Sequence, residues 1–400
     1  MRVLYHHRTQ AEDAQGIHIY EMVGAFRALG HEVEMASLTE VDHAAGKKTK
    51  GSRWGFITRW APAWLYELMG LAYNLYGYRM ISKKIRKSRP DLIYERYSMN
   101  TVCGVWASRR FGIPMILEVN APLAYEQEKL GQLAFKRLAR FTERWTCSNS
   151  TRTIVVTGVM RDMIAELGVP KEHIVVMTNG INPEEFHPEI DDSAIRRRHG
   201  LEGKTVVGFV GWFRPWHGLE MLLEQMRPML AEREDLRVLL VGDGPAAPFL
   251  REFVEKHGLT DQVVFTGPVK RDEIPAHVAA MDVTVQPSAT AYACPMKIIE
   301  YMALGKCIVA PNQPNIAEIL ADGVNCSMFE KEDPESLGAA LARVLGSSEE
   351  RDRLGRAAHD AVQTRGYLWS ENARRALDLA RGSAGSAQDC PVSSPTELRQ

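Results

Sequence analysis

Apolar residues along this chain fall into short runs separated by longer stretches with helical spacing. Arg2–His7, Glu32–Ser37, Asp91–Arg96, Pro114–Asn120, Arg152–Gly158 and Ile174–Gly180 are rich in Val, Ile, Leu, Met and Tyr. Runs with so little polar alternation predict strands buried on both faces. Between them the apolar period predicts helices from Gly16 to about Leu29, over Ser98–Arg110, and as one long charged helix over about Tyr125–Asn149. Asn182–Gly200 is polar and lacks a period, so it reads as a linker with a short helix. The alternation then restarts. Strands are predicted at Val206–Val210, Arg237–Val241, Gln262–Thr266, Val283–Gln286 and Cys307–Ala310. Helices fall at about Gly218–Ala231, Ala246–His257, Arg271–Ala280 and Met296–Leu304. Alternating strands and helices at this spacing give parallel sheets with crossover helices. The pattern therefore predicts two doubly wound domains in tandem. A last helix is expected over about Trp369–Ala380, and Gly382–Gln400, rich in Ser, Ala, Gly and Pro, reads as a disordered tail.

One stretch carries more chemistry than the rest. Residues 292–311 read YACPMKIIEYMALGKCIVAP: a loop, a helix beginning near Met296, a stop at Gly305 and a new strand. A loop that turns into a helix behind a parallel sheet presents free N–H groups at the positive end of the helix dipole. Lys297 adds a cation in the first turn, where the dipole favours an anion. A bound diphosphate between the two resolves that conflict. Glu300 lies one turn on, placed to accept from two ribose hydroxyls. The plain alternative is an ordinary strand–helix unit with a surface Lys and Glu. The loop VGWFRPWHG at 210–218 repeats the arrangement, with Arg214 offering a planar fork that matches phosphate oxygens and His217 nearby.

The length of 400 residues exceeds one ordinary core and fits two domains. The 45% hydrophobic and 25% charged content is that of a soluble globular protein, and a net charge of −1 gives no nucleic-acid footprint. The six cysteines are scattered without a CxxC pair and read as buried thiols in a reducing, cytoplasmic setting. The N-terminus enters a strand pattern at once, without the apolar core of a signal peptide, and no run is long enough to span a membrane. No carboxylate or histidine cluster has metal-site spacing, so neither metal nor cofactor is expected.

Two features of the first half qualify this. There is no G-x-G-x-x-G after the first strand, so a dinucleotide site is not supported; Gly16 is either a turn residue or a close backbone approach to a phosphate or acceptor. Residues 51–89 crowd Trp, Phe, Tyr and Leu among Arg and Lys. From Lys47 to Arg110 there are fourteen basic residues against three acidic ones. That reads either as a surface helix at an anionic membrane or as a core helix with a solvated basic end.

Four segments give the pattern a family. VGWFRPWHG (210–218), LLVGDGP (239–245), VVFTGPVKRDEIPAHVAAMDVTVQPS (263–288) and PMKIIEYMALGKCIVAP (295–311) together resemble the retaining family 4 glycosyltransferases of GT-B fold; residues 156–188 resemble the end of that family's first domain. The resemblance implies an α/β protein of two Rossmann-like domains facing a central cleft. The first, 1–184 with a crossover helix at 368–382, would take the acceptor. The second, 200–367, would hold a nucleotide-sugar donor. Glu300 matches the family glutamate on the donor ribose, Pro295, Met296 and Lys297 would hold the diphosphate, and Pro268 would lie near the base. Gly211 and Trp212 lie in the first loop of the donor domain, and Gly16 matches a glycine that meets the donor phosphates.

Three positions depart from the family. Its second glutamate falls on Tyr292, the Arg and Lys of its first donor-domain loop fall on Trp212 and His217, and its acceptor-side histidine falls on Asn120. Arg214 then supplies the missing charge, with His217 as a partly protonated helper. Asn120 can hydrogen-bond a sugar hydroxyl but cannot act as a base. The implied reaction is sugar transfer from UDP or GDP to a glycan or lipid-linked acceptor, in the cytoplasm or at the inner membrane face. A nucleotide-sugar epimerase or a non-catalytic binding protein on the same fold are the alternatives.

Overall fold

The computed structural model describes residues 1–9, 14–38 and 62–382, with the side chains of Ala14 and Gln15 left out. Trp54, Phe56 and Trp60, Cys390 and the tail expected to be disordered, 383–400, therefore lie outside the described residues. The described chain divides into two compact units. One runs from Met1 to Thr178 and includes the helix Trp369–Arg381; the other runs from Asn179 to Leu368.

The first unit is a parallel six-stranded sheet of β1 (Arg2–His6), β2 (Glu32–Ala36), β3 (Leu92–Arg96), β4 (Met115–Val119), β5 (Arg152–Val155) and β6 (Ile174–Val176). The spatial order is β2-β1-β3-β4-β5-β6. The apolar runs explain it: Leu4, Ile93, Ile116 and Leu117 have no exposed surface, as strands covered by helices on both faces require. The helix Trp369–Arg381 belongs here. Asn372 Nδ2 donates to Thr178 O at 2.8 Å, and Trp369 meets His18 edge-on at 4.6 Å between ring centroids.

The second unit is another parallel six-stranded sheet: β7 (Thr205–Val210), β8 (Leu236–Val241), β9 (Val263–Gly267), β10 (Val283–Val285), β11 (Cys307–Asn312) and β12 (Ser327–Glu330), in the order β12-β11-β10-β7-β8-β9. From β7 the chain moves outward through β8 and β9, then returns to the other side of β7 through β10. The strand order thus reverses between β7 and β10. Loops leaving the carboxyl ends of two such strands diverge and open a crevice, the usual ligand position in open α/β sheets. In the first unit the reversal lies between β1 and β3.

Three expectations change. The long helix over Tyr125–Asn149 is two helices, Leu123–Lys129 and Lys136–Asn149. Gly131 turns the chain at φ +68, and buried Glu67, distant in sequence, accepts from Ala134 N at 2.6 Å and Phe135 N at 3.2 Å. Gly16 does not open its helix, which begins at Ala14 and runs to Ala28. A sixth strand, β12, to which the sequence reading assigned no element, pairs with β11.

The loops after β7 and β8 lock together. Gly211 N donates to Val241 O at 2.9 Å, Phe213 N to Asp243 O at 2.6 Å, and Ala246 N to Phe213 O at 2.9 Å. Gly242 sits at φ +127, and a Cβ there would strike the Gly211 carbonyl. Gly242→Ala is therefore expected to destabilise the second unit by on the order of 3 kcal/mol, combining backbone strain with overpacking. Thermal unfolding of the variant checks this; an unchanged midpoint contradicts it.

Candidate functional site

The site is built at the carboxyl ends of β7 and β10. After β7 the chain turns at Gly211 (φ +143), buries Phe213 as an anchor and leaves Arg214 extended. One 3-10 turn, Pro215–His217, follows. Gly218, at φ +71, then starts the helix Leu219–Glu232 without a side-chain cap. Gly218 packs closely: a Cβ there would lie 3.3 Å from Pro287 and Ser288, on the loop after β10. The two loops of the crevice thus touch at a residue that must be glycine both for its φ and for space.

The loop after β10 is held by side-chain amides that bind its carbonyls. Asn315 Nδ2 donates to Thr290 O at 3.0 Å and to Ala293 O at 2.6 Å. Asn179 Nδ2 donates to Cys294 O at 2.8 Å, and Gln313 Nε2 supports Asn315 Oδ1 at 2.8 Å. With these carbonyls engaged, the loop delivers Pro295 to the start of the helix Met296–Ala303, again without a side-chain cap. Side-chain caps are present at the helices after Thr157, Asp333 and Ser347 and absent at several others, those after Pro62 and Val102 among them. The first-turn N–H groups of an uncapped helix have no intrahelical acceptor and favour an anion. Behind the helix Tyr301 is buried, and its hydroxyl accepts from Val210 N at 3.1 Å, tying the helix to the end of β7.

Lys297 lies inside this frame. The residue is partly buried, and its ammonium packs against the Phe209 ring and Gly211. Nζ stands 3.8 Å from the Phe209 ring centroid, and a Cβ at Gly211 would come within 2.8 Å of it. Burial pushes the ammonium down to about 7, with the charge of Glu300 working the other way. Among the described residues no carboxylate forms an ion pair with it. Arg214 is likewise without a carboxylate partner among the described residues; its guanidinium lies 5.0 Å from the Trp216 ring centroid.

His217 was expected to be a partly protonated helper; without a bound anion its imidazole is shifted the other way. Burial, then Lys297 and Arg214, push its imidazole down to about 3, against an opposing hydrogen bond from the ring to the Trp212 backbone. His217 is neutral near pH 7, and its Nδ1 is buried without a hydrogen-bond partner among the described residues. The cations of the site are therefore Arg214 and Lys297. His217 offers a ring nitrogen instead of a charge.

Glu300 is buried, and one of its oxygens is already engaged: Arg271 Nη1 donates to Oε1 at 2.6 Å. The Arg271 guanidinium also stacks on Phe186, 4.9 Å from its centroid. Sequence reading did not single out Arg271, and no local signal marks it, because its partner stands 29 positions away. Asn315 and Gln313 were also missed. Their signal is a pair of buried amides just after a strand of apolar residues. Pro268 is exposed beside β9, and Trp212 is exposed at the loop tip. Gly16 and Asn120 belong to the first unit; Asn120 Nδ2 donates to Glu118, which also accepts from Tyr94 Oη at 2.8 Å and Arg96 Nη1 at 3.1 Å. Among the described residues no group of three or more His, Cys, Asp or Glu is arranged to hold a metal ion.

Comparison with known proteins adds to this geometry. Residues 15–185 match the family model described as Glycosyltransferase Family 4, and residues 204–347 match Glycosyl transferases group 1. The chain is 28% identical over 263 residues to a GDP-mannose-dependent alpha-mannosyltransferase of Mycolicibacterium smegmatis, covering 66% of each chain. It is 23% identical to an alpha-D-kanosaminyltransferase of Streptomyces kanamyceticus, covering 62% of this chain and 65% of that one. The alignments thus span just under two thirds of these two relatives. In fold the chain is similar to Anabaena HepE, solved in complex with UDP, at 19% identity and a TM-score of 0.70, covering 95% of this chain and 100% of that one.

The enclosed Lys297 gives a prediction with a definite sign. A diphosphate beside Nζ favours the charged ammonium, so binding takes up a proton wherever the free lysine is mostly neutral. Calorimetric titration with a nucleoside diphosphate at pH 8, where the ligand phosphates are fully ionised, should show net proton uptake approaching one. Affinity should fall as pH rises from 7 to 9, by up to roughly tenfold per unit. Lys297→Met should abolish the uptake; no uptake at pH 8 in the wild type contradicts the assignment.

Proposed function

The chain is a glycosyltransferase of family 4 with an α/β fold of the GT-B type, and on that premise we propose that it transfers a sugar, with retention, from a UDP- or GDP-sugar to a glycan or lipid-linked acceptor. The observation that carries this reading is the pair of cations without carboxylate partners, Arg214 and Lys297, beside uncapped helix starts where the strand order reverses. Breaking the bond from the anomeric carbon to phosphate oxygen sends its electron pair to the diphosphate. Arg214, Lys297 and the N–H groups at Met296 would stabilise that charge as it develops. Neutral His217 would contribute a hydrogen bond through its ring. The acceptor oxygen bonds to the anomeric carbon on the face the leaving group vacates, and the acceptor proton passes to the departing phosphate. No strong protein base is required, which suits the Asn at position 120.

Glu300 would take a ribose hydroxyl through the oxygen that Arg271 does not hold. Either uridine or guanosine diphosphate is consistent with the resemblances: one relative is named for GDP-mannose, and a fold neighbour was solved with UDP. The first unit would receive the acceptor. No described helix is long and apolar enough to cross a membrane. A peripheral position at the cytoplasmic membrane face is supported by the helix Ala63–Ser88. Trp64, Leu68 and Leu75 share one exposed face opposite buried Tyr73 and Gly77, and exposed Arg79, Lys83 and Arg86 continue the stripe.

Thermal-shift screening of UDP-, GDP- and ADP-sugars tests the donor: one of the first two should stabilise the protein most. Glu300→Ala should weaken that donor by about tenfold, the order of one lost charge-assisted hydrogen bond. Arg214→Ala should lower turnover more than donor affinity. Wild-type kinetics in both variants would remove the site from consideration. Sedimentation with anionic vesicles tests the membrane face: Leu68→Glu with Leu75→Glu should release the protein, and equal binding by both forms refutes it.

A further inference from the structure

A built chain of side chains stands at the carboxyl ends of β1 and β3 in the first unit. Glu95, on β3, is fully buried and pairs with His6 Nδ1, on β1, at 2.6 Å. The other His6 ring nitrogen meets Tyr73 Oη at 3.0 Å. Tyr73 stands on the helix Ala63–Ser88, and the Arg8 guanidinium lies over its ring, 5.0 Å from the centroid. Three glycines make the room. A Cβ at Gly104 would strike the Glu95 carboxylate, one at Gly77 would meet the Tyr73 ring at 3.0 Å, and one at Gly70 would lie 3.2 Å from Arg8 Nη1. Such a chain runs from the core to a single endpoint, and that endpoint is Arg8.

Among the described residues the carboxylates at this edge already have partners. Glu95 faces His6, and Glu118 faces Arg96 at 3.1 Å and His18 at 3.3 Å. His7, next to Arg8, is buried, and burial followed by the charge of His6 pushes it down to about 4, so it is neutral. Among the described residues Arg8 has no carboxylate partner. It also lies where the strand order of the first sheet reverses, the position at which open α/β sheets take ligands. A guanidinium stacked on an aromatic face keeps a fixed fork of donors that fits two oxygens of a phosphate or carboxylate.

We propose that Arg8 is the anion-recognising residue of the acceptor site, and that the acceptor is a sugar or polyol bearing a phosphate or carboxylate group. This rests on the reading above that the first unit receives the acceptor. Tyr73, His6 and Glu95 are positioning residues that hold Arg8 in place.

The test is calorimetric titration of the whole protein with paired sugars: glucose 6-phosphate, mannose 6-phosphate, glucuronate, and the methyl glycosides of glucose and mannose. A short-chain prenyl phosphate carrying a sugar separates a lipid source from a soluble one. UDP and GDP are titrated alongside. At least one anionic sugar or the prenyl phosphate should bind about tenfold or more tightly than the neutral glycosides, the scale of a charge-assisted contact. Arg8→Gln should remove that preference, and Arg8→Lys should restore only part of it, while affinity for the nucleoside diphosphate is unchanged. Gly70→Ala, which crowds the guanidinium, should reduce the preference with the fold intact by thermal unfolding. Equal binding of anionic and neutral ligands, no binding of any anionic one, or a preference untouched by Arg8→Gln would overturn the proposal. Loss of nucleoside diphosphate affinity in Arg8→Gln would overturn it too, by moving Arg8 to the donor. If neither UDP nor GDP binds even the wild type, it is the donor reading that fails.

Discussion

Two basic side chains that have no carboxylate partner among the described residues, beside uncapped helix starts, are the constraint on which the second unit depends. An enclosed ammonium is costly unless something anionic arrives, and the fold keeps Lys297 under Gly211 and against Phe209 all the same. Arg214, a few residues on, is stacked on Trp216 instead of paired. Stability alone would favour a carboxylate beside either one. Their arrangement makes sense as a place prepared for a ligand that brings its own negative charge and leaves carrying more of it.

The surrounding frame serves that arrangement. The loops after β7 and β8 are joined by backbone hydrogen bonds and by glycines that admit no side chain. The loop after β10 is held through its carbonyls by Asn315 and Asn179. Loops with so few degrees of freedom present their N–H groups in a fixed direction, so little reorganisation is needed when charge develops. Arg271 plays a related part for Glu300. It fixes one carboxylate oxygen and orients a buried acid.

Much of this was legible in the sequence, for physical reasons. Strands covered on both faces need near-continuous apolar runs, so the sheets and their alternation with helices could be read directly. The helix start at Met296 was legible because Pro295, the apolar period after it and Gly305 are local signals. What could not be read depends on partners far away in the chain. The break in the helix after Lys129 needs Glu67, some seventy positions earlier. The neutrality of His217 comes from burial beside Lys297, eighty positions later. The hold on Glu300 comes from Arg271, and a sequence alone does not say which arginine reaches which carboxylate. β12 escaped notice because SMFE is short and ends in an exposed polar residue.

The central claim is that a diphosphate binds at the mouth of the helix Met296–Ala303. Backbone amide NMR tests it most directly, by titrating a nucleoside diphosphate into the 15N-labelled protein. The account predicts that the largest downfield amide shifts fall on Met296 and Lys297, with smaller ones along Gly211–Arg214. Saturable binding that leaves the amides of Met296 and Lys297 unmoved would contradict it.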